Sequence, residues 1–127
     1  MNLLFLRKQE ILILHAQLIE AFGGIHGLRD EGALESAIAA TENRAYYEGA
    51  LLSVCAATYA YHLCQAHAFL DGNKRIAAAA AELFIEMNGA RLIATNSQIV
   101  DFFLKIASSA ITRHKAEEMF ESWIMPG

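Results

Sequence analysis

The chain has 127 residues, one proline, two cysteines and a net charge of −4, with 55% of its residues hydrophobic and 19% charged. Such a chain is long enough to close one core without disulfide or metal staples, and its balance is far from that of a disordered segment. No Lys/Arg run exceeds the pairs Arg7-Lys8 and Lys74-Arg75, which excludes a general nucleic-acid footprint, and no window offers the roughly 18 consecutive apolar residues that a membrane span needs.

At the N-terminus the apolar run Leu3 to Leu6 precedes the charges Arg7-Lys8, the reverse of a signal peptide, so a cytoplasmic protein is expected. From Leu6 to Phe22 the apolar positions 11, 12, 14, 18, 19 and 22 follow helical spacing, with charges at 7, 8, 10 and 20. Gly23-Gly24 ends that helix. His15 falls near its apolar stripe and reads as a core or half-buried histidine, not a ligand. Gly23 to Arg29 is a loop that Arg29 ties down, and Asp30 caps a short helix through about Ala40, with Leu34 and Ile38 facing inward. His26 in this loop could lie on the surface or approach the turn described below. Thr41 to Gly49 breaks the periodicity and reads as a polar loop. Its Tyr46 and Tyr47 could dock a partner or pack over a helix with their hydroxyls in water.

Leu51 to Gln65 or Ala66 is apolar nearly all round, as expected of a central helix. Cys55 and Cys64 lie nine apart on it, on opposite faces and about 13 Å apart along the axis, so they read as free buried thiols. His62 and His67 are five apart, about 140° out of phase, which rejects a zinc pair. Lys74 to Asn88 forms a second core helix whose run Ala77 to Ala81 permits close helix approach. Arg91 to Ala94 reads as an extended connector, and Asn96 or Ser97 caps a helix through about Ala110. A last helix spans Arg113 to Ile124. The sum is an all-α fold, a compact helical bundle forming a single domain over residues 1–127.

Between the two core helices stand His67-Ala68-Phe69-Leu70-Asp71-Gly72-Asn73-Lys74-Arg75. A helix starting near Asn73 or Lys74 points its free N–H groups and positive dipole end into this turn, a setting for phosphate. His67 is a candidate general base, and Asp71 a hard oxygen ligand for Mg²⁺ beside phosphates. Gly72 lets the backbone turn tightly or approach a ligand, Asn73 can orient phosphate oxygens or bridge the turn, and Lys74 and Arg75 offer an ammonium and a planar fork to phosphate. Phe69 reads as a hydrophobic pin. Asp-Gly-Asn is also an ordinary turn sequence, and His67 could be a plain helix C-cap. Two cations at a helix N-terminus are disfavoured by the dipole unless an anion belongs there, which tips the reading to a phosphate site.

These nine residues resemble the HxFx(D/E)GNxR signature of the Fic/Doc family, and the lysine after asparagine is similar to its Doc (death-on-curing) branch. The block from Gly23 to Ala37 also resembles that branch, so the resemblance covers nearly the whole chain. It implies a Fic-type helical bundle and the toxin of a toxin-antitoxin pair. The implied activity is that of a kinase-type phosphotransferase, binding ATP in the reverse sense and moving its γ-phosphate to a threonine hydroxyl of a translation protein such as elongation factor Tu. His67 would be the base, Asp71 the Mg²⁺ ligand, and Gly72, Asn73, Lys74 and Arg75 the phosphate cradle. The alternatives are the AMP transfer typical of members with a second glycine in place of Lys74, or a catalytically silent helical module that binds nucleotide. Ala68 replaces the proline common in the family, and Gly72 stands where some Doc toxins have alanine, closer to the AMP-transferring pattern. Lys74 weighs more, because its side chain would fill space that a further phosphate needs. The family's inhibitory (S/T)xxxE(G/N) helix reads as absent, since Arg44 precedes Glu48-Gly49 where serine or threonine belongs. The implied control is a separate antitoxin covering the groove, with no nucleic acid or membrane as partner.

Overall fold

A computed structural model describes residues 2–127, with six helices: α1 Lys8–Phe22, α2 Glu31–Glu48, α3 Leu52–Ala66, α4 Asn73–Met87, α5 Asn96–Ala107 and α6 Arg113–Trp123. The expected all-helical architecture is the observed one, apart from a small antiparallel pair of strands, β1 Ala90–Leu92 and β2 Ile124–Pro126, with Arg91 opposite Met125. The connector after α4 is thus partly a strand, and the last helix stops one residue short of Ile124, which pairs with Leu92.

Central placement of α3 follows from its sequence. Every residue from Cys55 to Ala60 is buried, and α2, α4, α5 and α6 all pack against this helix. Ala77, Ala80 and Ala81 are buried on α4, where their small side chains admit α3 closely. Phe102 of α5 meets Phe120 and Trp123 of α6 edge-on at 5.2 and 5.8 Å between ring centroids, fixing one helix on the other. Cys55 and Cys64 are buried and free, as the spacing indicated. Among the described residues no helix is long and apolar enough to cross a membrane.

Two further helices, α5 and α2, differ from the sequence-based expectation. The cap of α5 is Thr95 rather than Asn96 or Ser97: its side chain accepts from Gln98 N while Gln98 bonds back to Thr95 N, and the helix stops at Ala107, short of Ala110. The larger difference is α2, which continues through the supposed loop to Glu48 and ends at Gly49 in the left-handed conformation. Thr41 is fully buried, and Arg44 reaches from this helix to Glu117 of α6. A weak apolar stripe is compensated here by a charged tertiary contact that no local periodicity records.

Candidate functional site

The chain must leave α3 and re-enter α4 within a few residues, and each residue of the turn does part of that work. His67 is the C-cap of α3 and adopts φ 48°, ψ 43°, a left-handed conformation that costs a β-carbon-bearing residue energy. Its imidazole is exposed. The end of α3 is secured by Arg29, whose Nε donates to His67 O at 2.7 Å and whose Nη2 donates to Ala66 O at 3.5 Å, a cation on the negative end of the helix dipole. Arg29 therefore ties the preceding loop to the turn, as its place in the sequence suggested. The same loop pairs with the turn through its backbone: Arg29 N and Asp30 N donate to Ala68 O, and Leu70 N donates to Gly27 O.

Phe69 is buried and pins the turn, while Asn73 closes it. The Asn73 amide accepts from Phe69 N at 3.0 Å and donates to Phe69 O at 2.9 Å, so of the two uses open to this side chain it takes the bridging one. Gly72 is the N-cap of α4 at φ 74°, a conformation that suits glycine. Asp71 is half-buried, with Oδ1 accepting from Gly72 N at 2.8 Å and Oδ2 from Ile25 N at 3.1 Å. Each oxygen keeps a lone pair for a further partner.

The N–H groups of Asn73, Lys74 and Arg75 all precede the first helical hydrogen bond of α4, from Ile76 N to Gly72 O. Lys74 and Arg75 are exposed on that same first turn, and the Arg75 guanidinium lies 4.8 Å from the centre of the Phe22 ring, a cation–π contact. His67, Asp71, Gly72, Asn73, Lys74 and Arg75 all line one groove of about 840 Å³, whose opposite wall is Ile99, Val100, Phe103 and Leu104 of α5. That volume suits a nucleotide-sized molecule. Cys64 also lines the groove; burial pushes its thiol up, opposed by Lys74, so the thiol stays protonated and is a poor nucleophile.

Other candidates fall elsewhere. His26 is exposed and pairs with Glu20 at 2.8 Å, and so does not reach the turn. Tyr46 and Tyr47 are 82% and 78% exposed and line a separate groove with Leu3 and Phe5. One residue of the site escaped sequence reasoning: His15, which is buried against the turn with Nε2 2.8 Å from Asp71 O. The signal was present, since a polar residue inside the buried stripe Ile11, His15, Ile19 requires a partner.

Gly24 supplies a test of how tightly the loop seats Asp71. A Cβ built there would stand 2.6 Å from Asp71 Oδ2, and the residue has φ +123°. Gly24→Ala is expected to lower the stability by about 1–3 kcal/mol, measured by urea unfolding, and to displace the carboxylate. An unchanged unfolding midpoint would show that the loop yields instead.

The Fic/DOC family model matches residues 5–85, from the segment before α1 through most of α4. Over 105 residues the chain is 31% identical to "Protein kinase doc" of Escherichia phage P1, with 82% of each chain covered. Over 76 residues it is 41% identical to "Toxin Doc" of Mycolicibacterium smegmatis, with 58% of each chain covered. With the nine-residue turn, the loop that seats it and the helical bundle around both, the chain belongs to the Fic/DOC family, on its Doc branch.

Proposed function

We propose that this chain is the toxin of a toxin-antitoxin pair and acts as a kinase-type phosphotransferase, moving the γ-phosphate of ATP to a threonine hydroxyl of a translation protein such as elongation factor Tu. The observation that carries the reading is the exposed His67 imidazole at a groove whose floor is the cation-bearing N-terminus of α4. The name of the phage relative, a protein kinase, favours phosphoryl transfer, and the target class rests on the family resemblance.

The residues fit a magnesium nucleotide. Open N–H groups, Lys74 and Arg75 on one helical turn are suited to phosphate oxygens. Among the described residues no three His, Cys, Asp or Glu side chains converge as a metal cage, so Mg²⁺ would take Asp71 as its carboxylate and complete its shell from phosphate and water. When bound, Mg²⁺ neutralises charge on the transferring phosphates. His67 takes the proton of the attacking hydroxyl as its oxygen bonds to the γ-phosphorus; the bridging P–O bond breaks and ADP leaves. Lys74, Arg75 and the α4 amides hold the phosphate charge. Asn73 and Gly72 keep the turn in shape, Asn73 through Phe69 and Gly72 through its left-handed backbone. The antitoxin covers the groove along α5, where Val100 and Leu104 are 59% and 56% exposed. A cytoplasmic setting agrees with such a target.

AMP transfer is the second reading, favoured by Gly72, the glycine typical of AMP-transferring members. ATP labelled at the γ or the α position, incubated with the protein and a translation extract, separates the two. Label entering protein from γ alone is expected. Label from α would establish AMP transfer, and label from neither would leave a silent binding module.

A further inference from the structure

Ile11, His15 and Ile19 form one buried stripe of α1. The isoleucines need only apolar neighbours, whereas an imidazole taken out of water needs a hydrogen-bond partner. His15 is 3% exposed and its Nε2 lies 2.8 Å from Asp71 O. A carbonyl oxygen only accepts, so Nε2 carries the hydrogen and donates it. The ring also lies nearly parallel to that of Phe69, 3.8 Å between centroids and 16° between planes, and a Cβ on Gly72 would stand 3.6 Å from the same Nε2. A single side chain from α1 thus supports Phe69, Asp71 and Gly72 from behind the groove.

The consequence lies in the peptide unit joining Asp71 to Gly72. Its carbonyl accepts from His15, and its N–H donates to Asp71 Oδ1 at 2.8 Å. Rotation of that unit would break both bonds together, leaving Oδ1 without its donor and the carboxylate held only by Ile25 N. We propose that His15 is a positioning residue, which locks the 71–72 peptide and thereby aims the Asp71 carboxylate at the divalent cation. This rests on Asp71 being the Mg²⁺ ligand, as in the function proposed above.

Three substitutions separate positioning from simple core filling. His15→Leu removes the donor, His15→Gln carries an amide nitrogen close to where Nε2 stands, and His15→Asn is one methylene too short to reach. Binding of a non-hydrolysable ATP analogue is measured by calorimetry with and without Mg²⁺, alongside the thermal midpoint and the Mg²⁺ concentration for half-maximal transfer. His15→Leu and His15→Asn are expected to weaken the Mg²⁺-dependent component of binding by about 10–100-fold and to leave metal-free binding at the native level, while His15→Gln restores most of the loss. If His15→Leu fails to fold, the Gln and Asn pair makes the same comparison. A native response to Mg²⁺ in folded Leu or Asn variants, whatever their thermal midpoints, would overturn the inference alone. Absence of Mg²⁺-dependent binding in the native chain would overturn it together with the functional reading beneath it.

Discussion

His67→Gly is expected to yield a protein that is more stable than the native chain and transfers phosphate about 10²–10⁴-fold more slowly. The left-handed backbone at φ 48° costs a residue with a Cβ about 1–2 kcal/mol, part of which glycine recovers before its larger unfolded-state entropy is counted. Exposure of the imidazole means that its removal opens no cavity. The Arg29 bond to residue 67 uses the backbone oxygen, so it survives the substitution. Loss of a general base costs about 10²–10⁴ in rate, or about 3–5 kcal/mol of barrier. His67→Ala should lose the same rate without the gain in stability, because alanine keeps the Cβ. The pair is read by urea unfolding and by γ-label transfer to protein. A His67→Gly chain that transfers phosphate at the native rate would remove His67 from the mechanism, and one less stable than the native chain would show that the strain relieved at the left-handed cap is smaller than the unfolded-state entropy that glycine adds.

The features legible in the sequence were those encoded locally. Helical spacing marked the central helix and its partner, Gly23-Gly24 ended the first helix, and the chemistry of the turn stood in nine consecutive residues. Arg29 was legible as well, because a cation beside a helix start needs a reason to be there. What escaped depends on residues far apart in the chain. His15 looked like any half-buried histidine until Asp71, far along the sequence, arrived at its Nε2. Thr41 to Gly49 reads as a loop because polar residues ordinarily face water, yet Arg44 is largely buried. Asn73 can orient phosphate or bridge the turn, and the bridging bonds depend on the Phe69 backbone lying beside its amide.

Breaking the Arg44–Glu117 pair should be the most destabilising single change on the polar side of this fold. The two side chains are only 14% and 13% exposed, unlike an ordinary surface pair. Nη1 of Arg44 donates to Glu117 and, at 3.2 Å, to Thr58 Oγ1, while Nη2 donates to Glu48 Oε1 at 3.2 Å. One guanidinium thus joins the end of α2 to α3 and α6. Arg44→Met keeps the stem that packs there but strands Glu117, whose remaining cation, Arg113, is half exposed and 3.8 Å away. A loss of about 3–5 kcal/mol is expected, read from urea unfolding at neutral pH. Glu117→Met should cost less, because Arg44 retains Glu48 and Thr58. The double variant should recover much of the loss, since two apolar side chains of similar volume need no solvation. A coupling of at least about 1 kcal/mol should therefore separate the double variant from the sum of the single ones. Additive effects, or an Arg44→Met cost below about 1 kcal/mol, would mean that water reaches this pair and that α2 keeps its last turns for another reason. Phosphate transfer by folded Arg44→Met should stay at the native level, because Arg44 binds α6 and lies outside the groove lined by His67 and Lys74.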